Sequence, residues 1–276
     1  MAVLRLRRKS GGRPPVRIRG INWASPFADG LIFGFDPSHQ ANRRTSLIDL
    51  VSEASLVPEL SSSNAVIEIT DLGPAFRSVS GGNDGWGTTT GANKPVADTT
   101  ISAWVRPANI GAFDGYFRVG DATEWTRLGV GTGGEAIHTV QGSTQRSATS
   151  VNTIAANQWV LIAGRSGSTG ATDVWLNGAQ EDTDSGHSLS QVGAAIDVLN
   201  SFGGFEADGW MRAALLWDHR LSAPMLHALY DPRFRWDVFD TGYRYISLPA
   251  AAGGAGGRRN PLRGPLHGPL AGPLAA

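Results

Sequence analysis

Gln158-Trp159-Val160-Leu161-Ile162-Ala163-Gly164-Arg165, followed nine residues on by Val174-Trp175-Leu176-Asn177-Gly178, is the stretch that decides the fold class of this chain. Each run is short, rich in β-branched and aromatic residues, and closed by residues that tolerate positive φ. The reading is a strand, a polar Gly/Ser loop, a second strand and a two-residue Asn-Gly turn, hence one antiparallel hairpin and the start of another. An all-β antiparallel β-sandwich follows. That architecture presents surfaces, and nothing in the motif brings chemistry with it.

Outward from the hairpin, Leu31-Ile32-Phe33-Gly34-Phe35 and Ala65-Val66-Ile67-Glu68-Ile69 read as strands, and residues 37–44 and 81–94 as long polar loops. Residues 116–119, 125–130 and 135–140 form a meander with Gly-containing turns. Ser222 is placed to cap a short helix, with Pro224 tolerated in its first turn and Met225, Leu226 and Leu229 on one face. Residues 235–248, with alternating Trp236, Val238, Tyr243, Tyr245 and Ile246, add a terminal strand or packed extension.

Four motifs then carry a family resemblance. The hairpin pattern of Trp159, four apolar residues, a loop, Trp175, Leu176 and Asn177-Gly178 resembles the central hairpin of the laminin-G-like, concanavalin A-like jelly rolls. Thr99-Thr100-Ile101-Ser102-Ala103-Trp104-Val105-Arg106-Pro107 resembles the strand that precedes it in that family. Phe202-Gly203-Gly204 through Asp208-Gly209-Trp210-Met211-Arg212 resembles its penultimate strand, and Leu216 to Ala223 its last, with residues 224–230 as the helix after it. The match spans residues 21–232 in the family's order. It implies a jelly roll, glycan binding as the usual function, and calcium held at one rim in some members.

Composition agrees with this reading. A chain of 276 residues suits one large sandwich, and the absence of cysteine excludes disulfides and thiolate metal sites. No apolar run approaches the roughly 18 residues of a membrane helix, and the N-terminus lacks the apolar segment of a secretory signal, so synthesis in a cytoplasm is expected. The zero net charge hides an asymmetry: Arg5, Arg7, Arg8, Lys9, Arg13, Arg17 and Arg19 occupy residues 1–20 with no acid, and all 24 acids lie in the body. The expected organisation is a basic extended arm (1–20), the jelly roll (21–232), an extension (233–250) and a tail (251–276).

Gly11-Gly12 and Pro14-Pro15 favour an extended or flexible N-terminal arm. It is either a solvated leader or a segment that docks on an acidic partner, sister copies included. Nucleic acid is disfavoured, because the acidic body repels the same polyanion and no aromatic residue interleaves the arginines. The tail repeats X-Pro-Leu-X four times, which forbids a stable helix and spaces Leu262, Leu266, Leu270 and Leu274 regularly. It reads as a low-complexity tail or as a peptide that lies along a neighbouring subunit.

Catalysis on this scaffold would require paired carboxylates on one strand face. Glu68 and Asp71 have the wrong spacing, and Asp182 and Asp184 are expected on a solvated hairpin arm after the Asn177-Gly178 turn. The six histidines show no metal-binding spacing, and no nucleophile-elbow, zinc-protease or phosphate-loop pattern occurs. The expectation is a protein that is not an enzyme and has no cofactor. Asp84 and Asp121 are loop acids that could serve calcium, although turn acids bonding nearby amides explain them equally. Of the nine tryptophans, Trp104, Trp159, Trp175, Trp210 and Trp217 fall in strand patterns and read as core or sheet-face residues. Trp86 and Trp125 lie near expected loops and are the candidates for stacking on a sugar.

Together with the Leu229-Tyr230-Asp231-Pro232 close and the Arg/Trp-rich segment after it, the chain resembles laminin-G-like structural proteins of tailed bacteriophages. The resemblance implies a non-enzymatic virion component made in the host cytoplasm, a capsid decoration or cement protein holding the major capsid protein or sister copies through its arms, and a homo-oligomer. The alternatives are a tail or receptor-binding component, or a free lectin, binding a host glycan through rim loops. The decoration role is preferred because no heptad or shaft repeat is visible.

Overall fold

A computed structural model describes residues 18–39, 47–52, 55–58, 66–79, 86–88, 94–95, 98–121, 123–189, 192–193, 195–201 and 205–240. Two antiparallel sheets form a sandwich. The back sheet runs Ala179–Ser188, Thr169–Leu176, Val160–Ser166, Thr99–Pro107, Gly209–Trp217, Gly73–Ser78 and Val66–Thr70, with Leu31–Phe35 also paired to Gly209–Trp217. The front sheet runs Gln145–Thr153, Glu135–Gln141, Trp125–Val130, Asp114–Gly120, Ala195–Val198, Trp86–Thr88, Ser55–Pro58 and Leu47–Ile48. The expected hairpin is present, in register from Ile162 opposite Leu176 to Ser166 opposite Thr172. Asn177 and Gly178 close the next turn at φ 53° and 81°. Gly178 is required twice over, since a Cβ there would also lie 3.0 Å from the Cα of His227 on the helix above it.

The apolar runs of the central strands are nearly continuous because both faces of the back sheet are buried. Ile101, Ala103, Val105, Val160, Ile162, Val174 and Met211 face the front sheet's Phe117, Val119, Leu128, Val130 and Val198 in one core. Trp104, Leu161, Ala163, Trp175, Leu215 and Trp217 face the other way. They pack beneath the helix Ala223–Tyr230, through Leu226 and Leu229, and beneath Trp236, Val238 and Phe239 of the extension. Each such side chain, fully buried, contributes about 1.5–3 kcal/mol. The helix is therefore a lid on the sheet's second face. Ser222 occupies its N-cap position, but the hydroxyl makes no capping hydrogen bond.

One buried ion pair fastens this outer layer. Arg212, fully buried, donates from Nε to Asp36 Oδ2 at 2.9 Å and from Nη2 to Ser38 Oγ at 2.7 Å, reaches Leu72 O from Nη1, and stacks on Trp236 with its Cζ 4.5 Å from the ring centroid. Multiple donors satisfied at once are what make a desolvated guanidinium tolerable. The extension itself turns through residues 231–238 and ends in the short strand Phe239–Asp240, antiparallel to Gly20–Ile21. Residues 241–248, expected to continue it, lie outside the described residues.

Three elements differ from the sequence reading. Within the expected loop 81–94, Trp86–Thr88 is a strand paired with Ala195–Val198 and Ser55–Pro58. Gln145–Thr153 is a nine-residue strand that apolar periodicity missed, because an edge strand this polar carries little core signal. Asp182 and Asp184 are not on a solvated arm; they lie in the ten-residue strand Ala179–Ser188. Asp184 Oδ2 accepts from Ser147 N at 3.1 Å, Asp182 Oδ2 from Thr149 N at 2.9 Å and Glu181 Oε2 from Asn152 N at 3.1 Å. The edge of one sheet thus caps the outward amides at the edge of the other, which blocks strand addition there.

Candidate functional site

The outer face of the front sheet carries a row of rings and guanidinium groups. In Trp125–Val130, Thr126 and Leu128 point inward, so Trp125 and Arg127 project outward. Register then places Arg118 beside Arg127, and Asp197 beside Arg118. Arg127 Cζ lies 4.8 Å from the Trp125 ring centroid and 4.5 Å from that of Phe113. Arg118 Cζ lies 5.5 Å from the Trp125 ring, and its Nη1 donates to Asp197 Oδ2 at 2.9 Å. Phe113 can lie over the sheet because position 129 is glycine: a Cβ there would sit 2.5 Å from Phe113 Cζ. Burial, and then the adjacent Arg118, push the Arg127 guanidinium down to about 10. A second cation stacked so close is poorly solvated, and an oxygen-rich ligand laid on this face would replace the missing water.

Of the residues singled out in the sequence, Trp125 belongs to this row, half-buried and at the start of a strand rather than in a loop. Asp121 adjoins it and builds the turn that precedes it. Its Oδ1 accepts from Thr123 N at 2.7 Å, Thr123 Oγ1 at 2.8 Å and Glu124 N at 2.8 Å, and Arg118 Nη2 reaches its carbonyl. Trp86 is placed only by its backbone, in register with Val198 on the same sheet; its side chain, and Asp84, lie outside the described residues. So do the arm residues Arg5, Arg7, Arg8, Lys9, Arg13 and Arg17 and the tail residues Leu262, Leu266, Leu270 and Leu274. Arg19 is described, and its N–H donates to Asp240 O at 2.8 Å. Phe113, Arg118, Arg127 and Asp197 were not singled out. The polar-in-apolar alternation Trp125-Thr126-Arg127-Leu128 held the signal for Arg127, but nothing local pairs it with the other three.

Other groups are accounted for structurally. Trp210 stands between Arg77 and Arg106, with Cζ atoms 4.5 and 4.7 Å from its centroid, and donates to Glu68 Oε2 at 2.7 Å. Both its faces are thereby covered. At one end of the sandwich Asp114 is 1% exposed; its Oδ2, the Tyr116 hydroxyl and Ser78 Oγ have no hydrogen-bond partner among the described residues. Burial first, and the Asp208 charge besides, push the Asp114 carboxyl up to about 7 against the opposing Asp208 N–H and Arg77. His138, fully buried between the sheets, bonds Thr126 Oγ1 through Nε2 and Thr172 Oγ1 through Nδ1, each at 2.7 Å. Burial pushes it down to about 4. Among the described residues, no group of three or more His, Asp or Glu is placed to hold a metal ion.

This geometry frames the comparison with known proteins. Residues 80–225, more than half of the chain, match the family described as the Concanavalin A-like lectin/glucanases superfamily, in its laminin-G-like form. The chain belongs to this family. Membership covers lectins and glucanases alike. No curated protein matches the chain. Among solved structures, the superfamily fold is shared with domain 4 of AbnA, a GH43 extracellular arabinanase from Geobacillus stearothermophilus in complex with arabinotriose, at 15% identity and TM-score 0.60, covering 73% of this chain and 98% of that one. It is shared too with the botulinum neurotoxin type G receptor binding domain, at 14% identity and TM-score 0.55, covering 73% of this chain and 51% of that one. The binding domain of botulinum neurotoxin DC in complex with SialylT has 14% identity and TM-score 0.57, covering 74% and 51%. This chain spans about half the length of the neurotoxin domains. At these identities the likeness is one of fold, and the structures named are mostly binding domains.

Proposed function

We propose that this protein is a non-enzymatic, lectin-like jelly roll that binds carbohydrate on the outer face of its front sheet. The row Phe113–Arg127–Trp125–Arg118–Asp197 carries the reading. A ring edge beside planar donors at fixed spacing suits a sugar, whose C–H faces rest on aromatics while its hydroxyls take paired hydrogen bonds. The neighbours titled with arabinotriose and SialylT support it. The use of Asp182 and Asp184 as amide acceptors supports the non-catalytic part, since it removes the best-spaced acid pair from chemistry. Screening the protein on a glycan array and titrating the best ligand tests the site. Trp125→Ala and Arg127→Ala should each weaken binding tenfold or more, about 1.4 kcal/mol, with thermal unfolding still cooperative. Full affinity in both variants would refute the placement.

A second reading rests on the charge segregation and on the phage resemblance: a structural component of a tailed-bacteriophage particle, a capsid decoration or cement protein attached through its terminal segments. Cosedimentation with particles stripped of the protein tests it. Salt-sensitive binding that charge-neutralising the N-terminal arginines removes is the expected result, and no binding at low salt would refute it.

A further inference from the structure

The two terminal segments leave the body from one place. Arg19 N donates to Asp240 O at 2.8 Å, Gly20 pairs with Asp240 and Ile21 with Phe239, and Asn22 N donates to Val238 O at 2.8 Å. The side-chain amide of Asn22 adds a bond to Asp237 O at 2.9 Å. Ile18, fully buried, anchors the same point. Residues 1–17 and 241–276 therefore begin side by side. Between them they hold Arg5, Arg7, Arg8, Lys9, Arg13 and Arg17 on one side, Arg244, Arg258, Arg259 and Arg263 on the other, and no acid. Residues 18–240 hold 14 cations and all 24 acids. Beside the shared exit, Trp23 is 61% exposed, among the most exposed large apolar side chains of the described residues.

We infer that this exit is the interface between two copies of this chain, the terminal segments of each lying on the acidic body of the other. A strongly basic device on a strongly acidic body is awkward for any foreign polyanion, nucleic acid or acidic protein, because the body repels what the segments attract. A second copy removes that conflict: each chain has net charge zero, and the excess of cations at the exit equals the excess of acids on the body. Seventeen residues span at most about 60 Å, enough to cross a neighbouring domain of this size. Two segments tethered at one point bind as a pair, so weak contacts by each sum to a stable hold. Trp23, a large amphipathic ring beside the tether, is the kind of side chain that anchors such interfaces.

Sedimentation velocity of the full chain over a concentration series, without glycan or particle, tests this apart from either reading above. The expected result is concentration-dependent association at about 0.05 M salt that is lost at about 0.5 M. Replacing Arg5, Arg7, Arg8, Lys9, Arg13 and Arg17 by Gln should abolish self-association, while that variant, carrying its acidic body intact, is still bound by the wild-type chain. Trp23→Ala should weaken association tenfold or more. A wild-type chain that stays monomeric at low salt overturns the proposal, because the segments then fold back on their own body or serve another partner. Association unaltered by the Gln replacements overturns it as well, and indifference to Trp23→Ala overturns the placement at the exit.

Discussion

Asp114→Asn should leave stability almost unchanged in acid and raise it progressively toward neutral pH. The native carboxyl is held up at about 7 against 3.8 for an ordinary aspartate, mainly because it is buried. Between those values the unfolded chain has released this proton and the native chain has kept it. The unfolded state binds fewer protons there, so the wild-type stability contribution, complete below about pH 4, is lost as pH rises through about 7. A difference of roughly 3 units at 1.36 kcal/mol each makes the loss about 4 kcal/mol, a large share of the typical stability of a domain. Asn keeps the neutral shape and has no proton to lose. Urea unfolding followed by tryptophan fluorescence at about pH 4, 6 and 8 should therefore show the variant drawing ahead of wild type, by roughly 8–16 °C in Tm at the top of the range. A gap that stays constant across pH would refute the argument, because it would mean that Asp114 is ionised in the folded protein throughout.

His138 should act with the opposite sign: depressed to about 4 from 6.5, it gives stability that is complete above 6.5 and lost as pH falls through 4, by about 3 kcal/mol. His138→Gln should abolish that acid-side slope in the same titration, and an unaltered slope would show that another group carries it. Replacing Asp182 and Asp184 together by Ala should uncover the amides of Thr149 and Ser147 and produce edge-to-edge association that about 0.5 M salt does not reverse, visible by light scattering; a variant that stays dispersed would show that the edge is protected by its twist or side chains instead.

The strands of the central hairpin, the Asn177-Gly178 turn and the helix after Ser222 were legible from sequence because their causes are local: side-chain periodicity, β-propensity and tolerance of positive φ all act within a few residues. The near-continuous apolar runs around Trp104, Leu161 and Leu215 even announced that both faces of one sheet are covered. Polar strands were not legible. Gln145–Thr153 has no apolar stripe, and its edge is completed by carboxylates of another strand. The candidate site was half legible: Trp125 could be named, while Phe113, Arg118, Arg127 and Asp197 become neighbours only through strand register. Tertiary structure alone also paired Arg212 with Asp36, 176 positions apart, and set Arg19 against Asp240, which turned two separate basic termini into one exit. Sequence by itself determined which segments would be strands and where charge would accumulate. Only the fold decided which distant side chains share a dielectric and a face, because those contacts depend on closing long loops, and no local preference encodes their outcome.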